Sequence, residues 1–351
     1  MNRRLRTLGQ VSGVGLAVVC TIAPGGVGDD VHRPGTGGGA EKNTLNASAT
    51  ASNIQVTNVK GGGSGSKPLI PADPNWKPPA CWYEPVATPE QLKDAVEGVK
   101  KSGGRTTVRV GAYTGWGEQL LVDHYEKGRD DGTGEPSWKN YNLGKDGKWW
   151  RAVVREDMEF SDESFKCDKF LFWQDAGTLP NDPNAPTPDV LAAYAYNEIK
   201  IPDTKVELKP DGPTKVNLPT WVWLDKAKFD DVVVRAELPG TGVWAETTAK
   251  PVSLHLDPGS GDARTYPASG ECAINDDGSI GRPYRRGDAE KTPPCGVQYG
   301  RSSAGKSFPL KATVTWEITW EGSGGTGGDL PDGTFEGTQN VVVQEAQSVN
   351  R

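Results

Sequence analysis

Phe308, Leu310, Ala312, Val314, Trp316, Ile318 and Trp320 alternate with Pro309, Lys311, Thr313, Thr315, Glu317, Thr319 and Glu321. Successive side chains of a strand point to opposite faces, so this period-two pattern predicts one long strand with a single buried face. Shorter runs of the same kind occur at Val206–Leu208, Leu218–Leu224, Val232–Leu238, Val243–Thr247, Val252–Leu256 and Val341–Ala346. Turn formers separate them at Pro239-Gly240, Asp257-Pro258-Gly259 and Asp277-Gly278, and along the Gly-rich segment from Gly322 to Gly333. About seven strands in a segment of this length is the count of an immunoglobulin-like sandwich.

Upstream the period changes. Thr88-Pro89-Glu90-Gln91 reads as a helix start, with Thr88 capping, Pro89 in the first turn and Gln91 completing a capping box. Leu92, Ala95, Val96 and Val99 then share one helical face, and Gly103-Gly104 ends the helix. Strands are expected at Thr106–Ala112, Gln119–His124, Trp149–Arg155 and Phe165–Trp173, with a long polar loop from Glu126 to Lys148. Thr187-Pro188-Asp189 caps a second helix carrying Val190, Leu191, Tyr194 and Ala195 and ending near Ile201-Pro202. The expected fold class is therefore an α+β N-terminal domain over residues 76–203, followed by an all-β immunoglobulin-like sandwich over 204–348.

Residues 1–28 read as an export signal, in which Arg3, Arg4 and Arg6 precede the apolar run Val11–Ala23. That run would span only about 20 Å as a helix, short of a ~30 Å hydrocarbon core, so a cleaved signal is expected rather than an anchor. Residues 29–75, rich in Gly, Ser, Thr, Ala and Asn, have the composition of a disordered tether; Val56–Val59 is too short to change that reading. Charge argues against nucleic acid and otherwise reads as an aid to solubility. The chain carries −7, and removing the signal's three Arg takes the remainder to −10. An acidic chain without a basic block is a poor partner for nucleic acid or anionic membranes, leaving the export signal as the only membrane contact.

Four cysteines remain beyond the signal: Cys81, Cys167, Cys272 and Cys295. An even count in an exported chain points to two disulfides, for which three connectivities exist. Spacing favours one bridge per domain, Cys81–Cys167 and Cys272–Cys295.

The segment Asn217–Asp225 reads NLPTWVWLD, and further on come Thr248–Gly259, Pro294-Cys295-Gly296, Arg301-Ser302-Ser303, Ala312–Gly328 and the closing Val341–Glu345. Over about Pro186 to Val349 these residues resemble actinobacterial, Streptomyces-type secreted proteins of uncharacterised function. The resemblance implies a C-terminal domain of the polycystic-kidney-disease (PKD) type. Where that module carries W-x-F-G-D-G, this chain has Leu254-His255-Leu256-Asp257-Pro258-Gly259. Members of the group are sometimes labelled ATP/GTP-binding proteins.

The chemistry behind such a label is visible here. Gly300–Ser307, GRSSAGKS, satisfies the phosphate-loop pattern at Gly300, Gly305, Lys306 and Ser307. A phosphate loop also needs a following helix whose N-terminus faces the phosphates. Here a strand pattern follows, with Pro309 two residues on. The best Walker-B carboxylate, Asp225, precedes the loop, the reverse of the usual order. The pattern is therefore expected to be a chance match in a sandwich loop.

Ser303 and Lys306 meet the S-x-x-K spacing of penicillin-recognising enzymes, but neither S-D-N nor K-T-G occurs. The three histidines, His32, His124 and His255, read as a tether residue and two isolated strand residues. Asn275–Gly278 is acidic but lacks calcium-loop spacing, so a β-turn is expected there. Trp221 with Trp223, and Trp316 with Trp320, share sheet faces and are expected in the core, the alternative being a platform for sugar rings.

No catalytic residue, cofactor or metal is expected. The expected role is a non-catalytic, exported protein of adhesion, display or assembly, with an unidentified cell-envelope or protein partner. A carbohydrate-binding module, an ATP/GTP-binding protein acting through GRSSAGKS, and an enzyme whose site is confined to residues 76–203 are the alternatives.

Overall fold

A computed structural model describes residues 40–41, 44–45, 52–61, 67–101, 108–110, 113–116, 122–129, 139–158, 161–169, 171–201, 205–224, 230–289 and 291–345. The expected export signal, His32, Gly103-Gly104 and Asp225 lie outside these residues. The chain is mostly β. In order, the elements used below are β1 (Gln55–Lys60), β2 (Ile70–Pro71), β3 (Cys81–Ala87), α1 (Pro89–Lys101), β4 (Gly147–Val154), β5 (Phe172–Asp175) and α2 (Pro188–Glu198). There follow β6 (Glu207–Lys209), β7 (Thr220–Leu224), β8 (Val232–Leu238), β9 (Val243–Asp257), β10 (Ala263–Tyr266) and β11 (Glu271–Ala273). The last four are β12 (Gly296–Tyr299), β13 (Phe308–Gly322), β14 (Thr326–Val341) and β15 (Val343–Gln344).

The central layer is a seven-stranded antiparallel sheet in the order β1-β8-β9-β13-β14-β2, with β11 paired to β9. β13 is the strand the alternation predicts. Leu310, Ala312, Val314, Trp316 and Ile318 are buried, and the residues between them lie half-exposed or exposed. Its neighbour β9 joins two expected strands into one. A bulge between Pro251 and Ser253 shifts the phase, so Val243, Ala245, Thr247 and Ala249 share the inner face with Leu254 and Leu256 beyond it. Pro251 falls where the ladder is interrupted, a position that tolerates its missing N–H.

Two things cover that inner face. At one end lies α2, buried on nearly every side, with the Thr247 hydroxyl donating to the Ala192 carbonyl at 3.0 Å. At the other end lies a five-stranded sheet, ordered β6-β7-β12-β10 with Ile280–Gly281 paired to β7. Tyr299 of β12 stacks on Phe308 with ring centroids 5.2 Å apart. The other side of α2 meets a three-stranded sheet, β5-β4-β3, through the edge contact of Trp82 with Tyr194. One buried cluster runs through all of this, from Ile54 to Val343. A second cluster, with Leu92, Val96, Tyr125, Tyr141 and Trp149, lies beneath α1.

α1 begins with the expected reciprocal cap: Thr88 N–H donates to Gln91 Oε1 (2.8 Å) and Gln91 N–H to Thr88 Oγ1 (3.3 Å). The disulfides are Cys81–Cys167 and Cys272–Cys295, the favoured pairing.

Several expectations are corrected. Residues 52–61 and 67–75 are not a tether: β1 pairs with β8, Lys67–Pro68 with Lys200–Ile201, and β2 with β14. Val122–Glu126 forms a π-helical turn rather than the end of a strand, and His124 is buried in it beside Tyr125. Ser164–Lys166 forms a 3₁₀ turn, and of the strand expected over Phe165–Trp173 only Phe172 and Trp173 fall in a strand, β5. The second helix stops at Glu198, and Thr187 stands at its cap without a side-chain capping bond. Most of the Gly-rich segment expected as a turn belongs to β14, where the Trp320 indole lies near Gly328 and Leu69 and Tyr196 pack against Gly333.

Candidate functional site

The loop between β12 and β13 holds the phosphate-loop pattern, and its geometry follows from two residues. Ala304 and Gly305 both take left-handed φ, 52° and 78°. With Lys306 N–H donating to the Ser303 carbonyl at 2.9 Å, residues 303–306 close a type I′-like turn. Gly is favoured at its second central position because an L side chain is strained there.

Ser303 is buried and fastens the turn to the C-terminal edge. Its N–H donates to the Val343 carbonyl (2.9 Å), its hydroxyl donates to the Lys306 carbonyl (2.6 Å), and the same oxygen accepts the Val343 N–H (3.1 Å). Gly300 N–H donates to the Asp262 carbonyl at 2.8 Å. Three backbone donors of the loop, those of Gly300, Ser303 and Lys306, are thus bonded within the chain. Lys306 itself is exposed, Ser307 half-buried, and a strand follows. The S-x-x-K spacing brings the Ser303 hydroxyl to the carbonyl of Lys306, not to its amine.

The other sequence candidates lie apart. His255 Nδ1 meets Glu271 Oε1 at 2.7 Å on the solvent side of β9 and β11. Asn275–Gly278 closes a β-turn through Gly278 N–H and the Asn275 carbonyl (2.8 Å), as expected. Among the described residues, no three His, Cys, Asp or Glu side chains are placed to hold a metal ion. Trp221 and Trp316 are buried, whereas Trp223 and Trp320 are half-buried.

Two polar clusters escaped the sequence reading. The first sits next to the Cys272–Cys295 bridge. Asp288 has little exposed surface and accepts bonds from Arg282 Nη1 (2.7 Å), Arg285 N–H (2.9 Å) and Lys291 Nζ (3.0 Å). The Arg282 bond, seconded by Lys291, holds its carboxyl far below the ordinary aspartate value. The same guanidinium lies 4.4 Å over the Trp221 ring, with Tyr284 at the ring's edge. This knot holds Arg282, Tyr284 and Asp288 together beside Trp221 of β7.

The second is Glu84 on β3, fully buried. Its carboxylate accepts the Ser52 hydroxyl (2.6 Å), the Asn53 N–H (2.5 Å) and Trp82 Nε1 (2.6 Å), and it stands in register with Arg151 of β4. Burial pushes its pKa up, against the pull of those donors and of the Arg151 charge. A Glu in the run CWYEPVA gives little warning of this, because only Trp82 is a local partner; Ser52 and Asn53 lie some thirty residues away and Arg151 some seventy. The bonds close a structural latch, and no opening onto solvent is needed to explain them.

No protein-family model, curated protein or solved structure matches the chain.

Proposed function

We propose that this is an exported, non-catalytic protein of adhesion, display or assembly outside the cytoplasm. Its supporting observation is the pair of disulfides. Cys81–Cys167 spans 86 residues and Cys272–Cys295 spans 23, and all four side chains are buried in the body. Such bridges persist in oxidising compartments and are rare in reducing ones. No helix among the described residues is long and apolar enough to cross a membrane. The long sheet and the five-stranded sheet that faces it are read as the immunoglobulin-like, PKD-type sandwich, preceded by the α+β region around α1 and β3–β5.

Nucleotide binding through GRSSAGKS has weaker support, since three loop N–H groups are already bonded and β13 stands where a phosphate-binding helix would be needed. Fractionating a producing culture tests the proposal. The mature chain is expected outside the cytoplasm with both cysteine pairs oxidised and with a co-purifying envelope component or a second copy of itself. Recovery as a reduced cytoplasmic protein would overturn it.

A further inference from the structure

The segment Ser52–Lys60 behaves as an added strand rather than as part of the body's own winding. β1 lies at the edge of the seven-stranded sheet and pairs with β8 alone, from Gln55 opposite Glu237 to Lys60 opposite Val233. Its strand residues bury little: Val56 is half-buried, the other five are exposed, and Val59 keeps 53% of its surface. What fixes the segment sits just before the strand. Ile54 is fully buried, Ser52 and Asn53 bond to the Glu84 carboxylate, and Asn53 Nδ2 donates to the Pro85 carbonyl at 2.8 Å.

The receptor is built to be occupied. Without Ser52 and Asn53, Glu84 loses two of the donors that offset its burial. A buried carboxylate left short of partners costs more than the bonds themselves are worth. The slot therefore selects a Ser-Asn-Ile segment followed by an extended strand. After Gly61 the chain continues to Lys67 through Gly62–Ser66, composed only of Gly and Ser. Those six residues, Gly61–Ser66, can reach up to about 20 Å. The segment is held by main-chain pairing, the Glu84 latch, the buried Ile54 and the ion pair of Lys60 with Asp230 (3.0 Å). Joined through a short Gly/Ser connection, such a segment can dock on a second copy with every contact preserved.

We propose that Ser52–Lys60 is an exchangeable arm, and that the slot formed by Glu84, Pro85 and the edge of β8 accepts the same arm from a second copy of this chain. The exchange replaces one set of bonds with an identical set, so its equilibrium is set by concentration and by the connection. This inference deepens the assembly reading above and rests on it for its use. Strand exchange is read in purified protein and export in cell fractions, so either can fail without the other.

The test uses two populations of the full chain, one carrying Gln55→Cys and the other Glu237→Cys. These positions face each other across β1 and β8, so a bridge between them in the mixture requires an arm docked on the other copy. Cross-linked heterodimer is expected under mild oxidation, its fraction rising about tenfold for a tenfold rise in concentration while dimer is scarce, by mass action. Adding Glu84→Gln to both populations weakens the latch and is expected to speed its appearance. The doubly substituted Gln55→Cys/Glu237→Cys chain reports whether the pair can bridge at all, through its internal disulfide. Absence of heterodimer at every concentration, with that internal bridge formed, would overturn the proposal. So would an equal yield when Gln55→Cys is paired with Thr248→Cys on the solvent face of β9.

Discussion

Three substitutions in one loop separate a turn that fastens the sheet from a loop that grips phosphate. Ser303→Ala removes the hydroxyl that donates to the Lys306 carbonyl and accepts the Val343 N–H, at a site with 7% exposure. Leaving buried backbone groups unpaired costs about 1–3 kcal/mol. Gly305→Ala places a side chain at φ 78° with open space around it, so only the backbone term applies, roughly 1–2 kcal/mol. Lys306→Ala truncates an exposed side chain and should stay within about 0.5 kcal/mol of zero.

The expected order of loss is therefore Ser303, then Gly305, with Lys306 close to silent. A phosphate loop would put Lys306 first for binding. Urea unfolding followed by tryptophan fluorescence reads the order as shifts of the midpoint at constant slope. A 2 kcal/mol loss corresponds to about 4 °C in Tm for a body of this size. Titration of the same variants with Mg-ATP reads the competing function. The reasoning is refuted if Lys306→Ala destabilises more than Ser303→Ala, or if it abolishes a saturable nucleotide signal present in the parent.

The two disulfides should also differ in a calculable way. Loops of 86 and 23 residues correspond to about 4.6 and 3.4 kcal/mol of denatured-state entropy. Cys81→Ala/Cys167→Ala is thus expected to lose about 1.2 kcal/mol more than Cys272→Ala/Cys295→Ala; equal or reversed urea midpoints would contradict the loop-length account. Asp288 supplies a pH signature. Its carboxyl is held below the ordinary value of 3.8, so its contribution is present above that value and is lost as pH falls through the lower folded-state pKa. Asp288→Asn should lower Tm at neutral pH, with the gap to the parent narrowing in increasingly acid buffer. A gap that stays constant from neutral pH down to about pH 2 would show that the Arg282–Lys291 knot carries no ionic component.

Legibility in the sequence followed side-chain burial. β13 and β8 each expose one face and hide the other, so alternation alone located them. The cap at Thr88 was equally readable, because both partners of the box lie within one turn. β9 was seen as two pieces, since a bulge at Pro251–Ser253 inverts the phase and a period-two reading stops wherever the phase inverts. β1 was missed for the opposite reason. Its side chains stay outside, its pairing is made by the main chain, and its anchor is a carboxylate more than twenty residues beyond the strand's end. A Gly- and Ser-rich neighbourhood then made a tether the natural expectation.

The same principle accounts for both glycine-rich stretches that sequence alone assigns to turns or to phosphate. In β14 the Trp320 indole, from the neighbouring strand, lies near Gly328, and Leu69 and Tyr196 pack against Gly333, so side chains of other elements stand where those glycines have none. In GRSSAGKS the glycine is there for φ, and the small serine is there for its hydroxyl. Neither residue needs a ligand to explain its type. The loop's position does the rest, because Ser303 joins the start of β13 to β15, whose other side pairs with Thr214–Lys215. A substitution that opens the turn should therefore loosen the C-terminal strand before it disturbs the long one. Hydrogen exchange at Val343, compared with Val314 in the Ser303→Ala chain, reads that order directly: Val343 should lose protection first, and simultaneous loss would mean the loop is not what holds the edge.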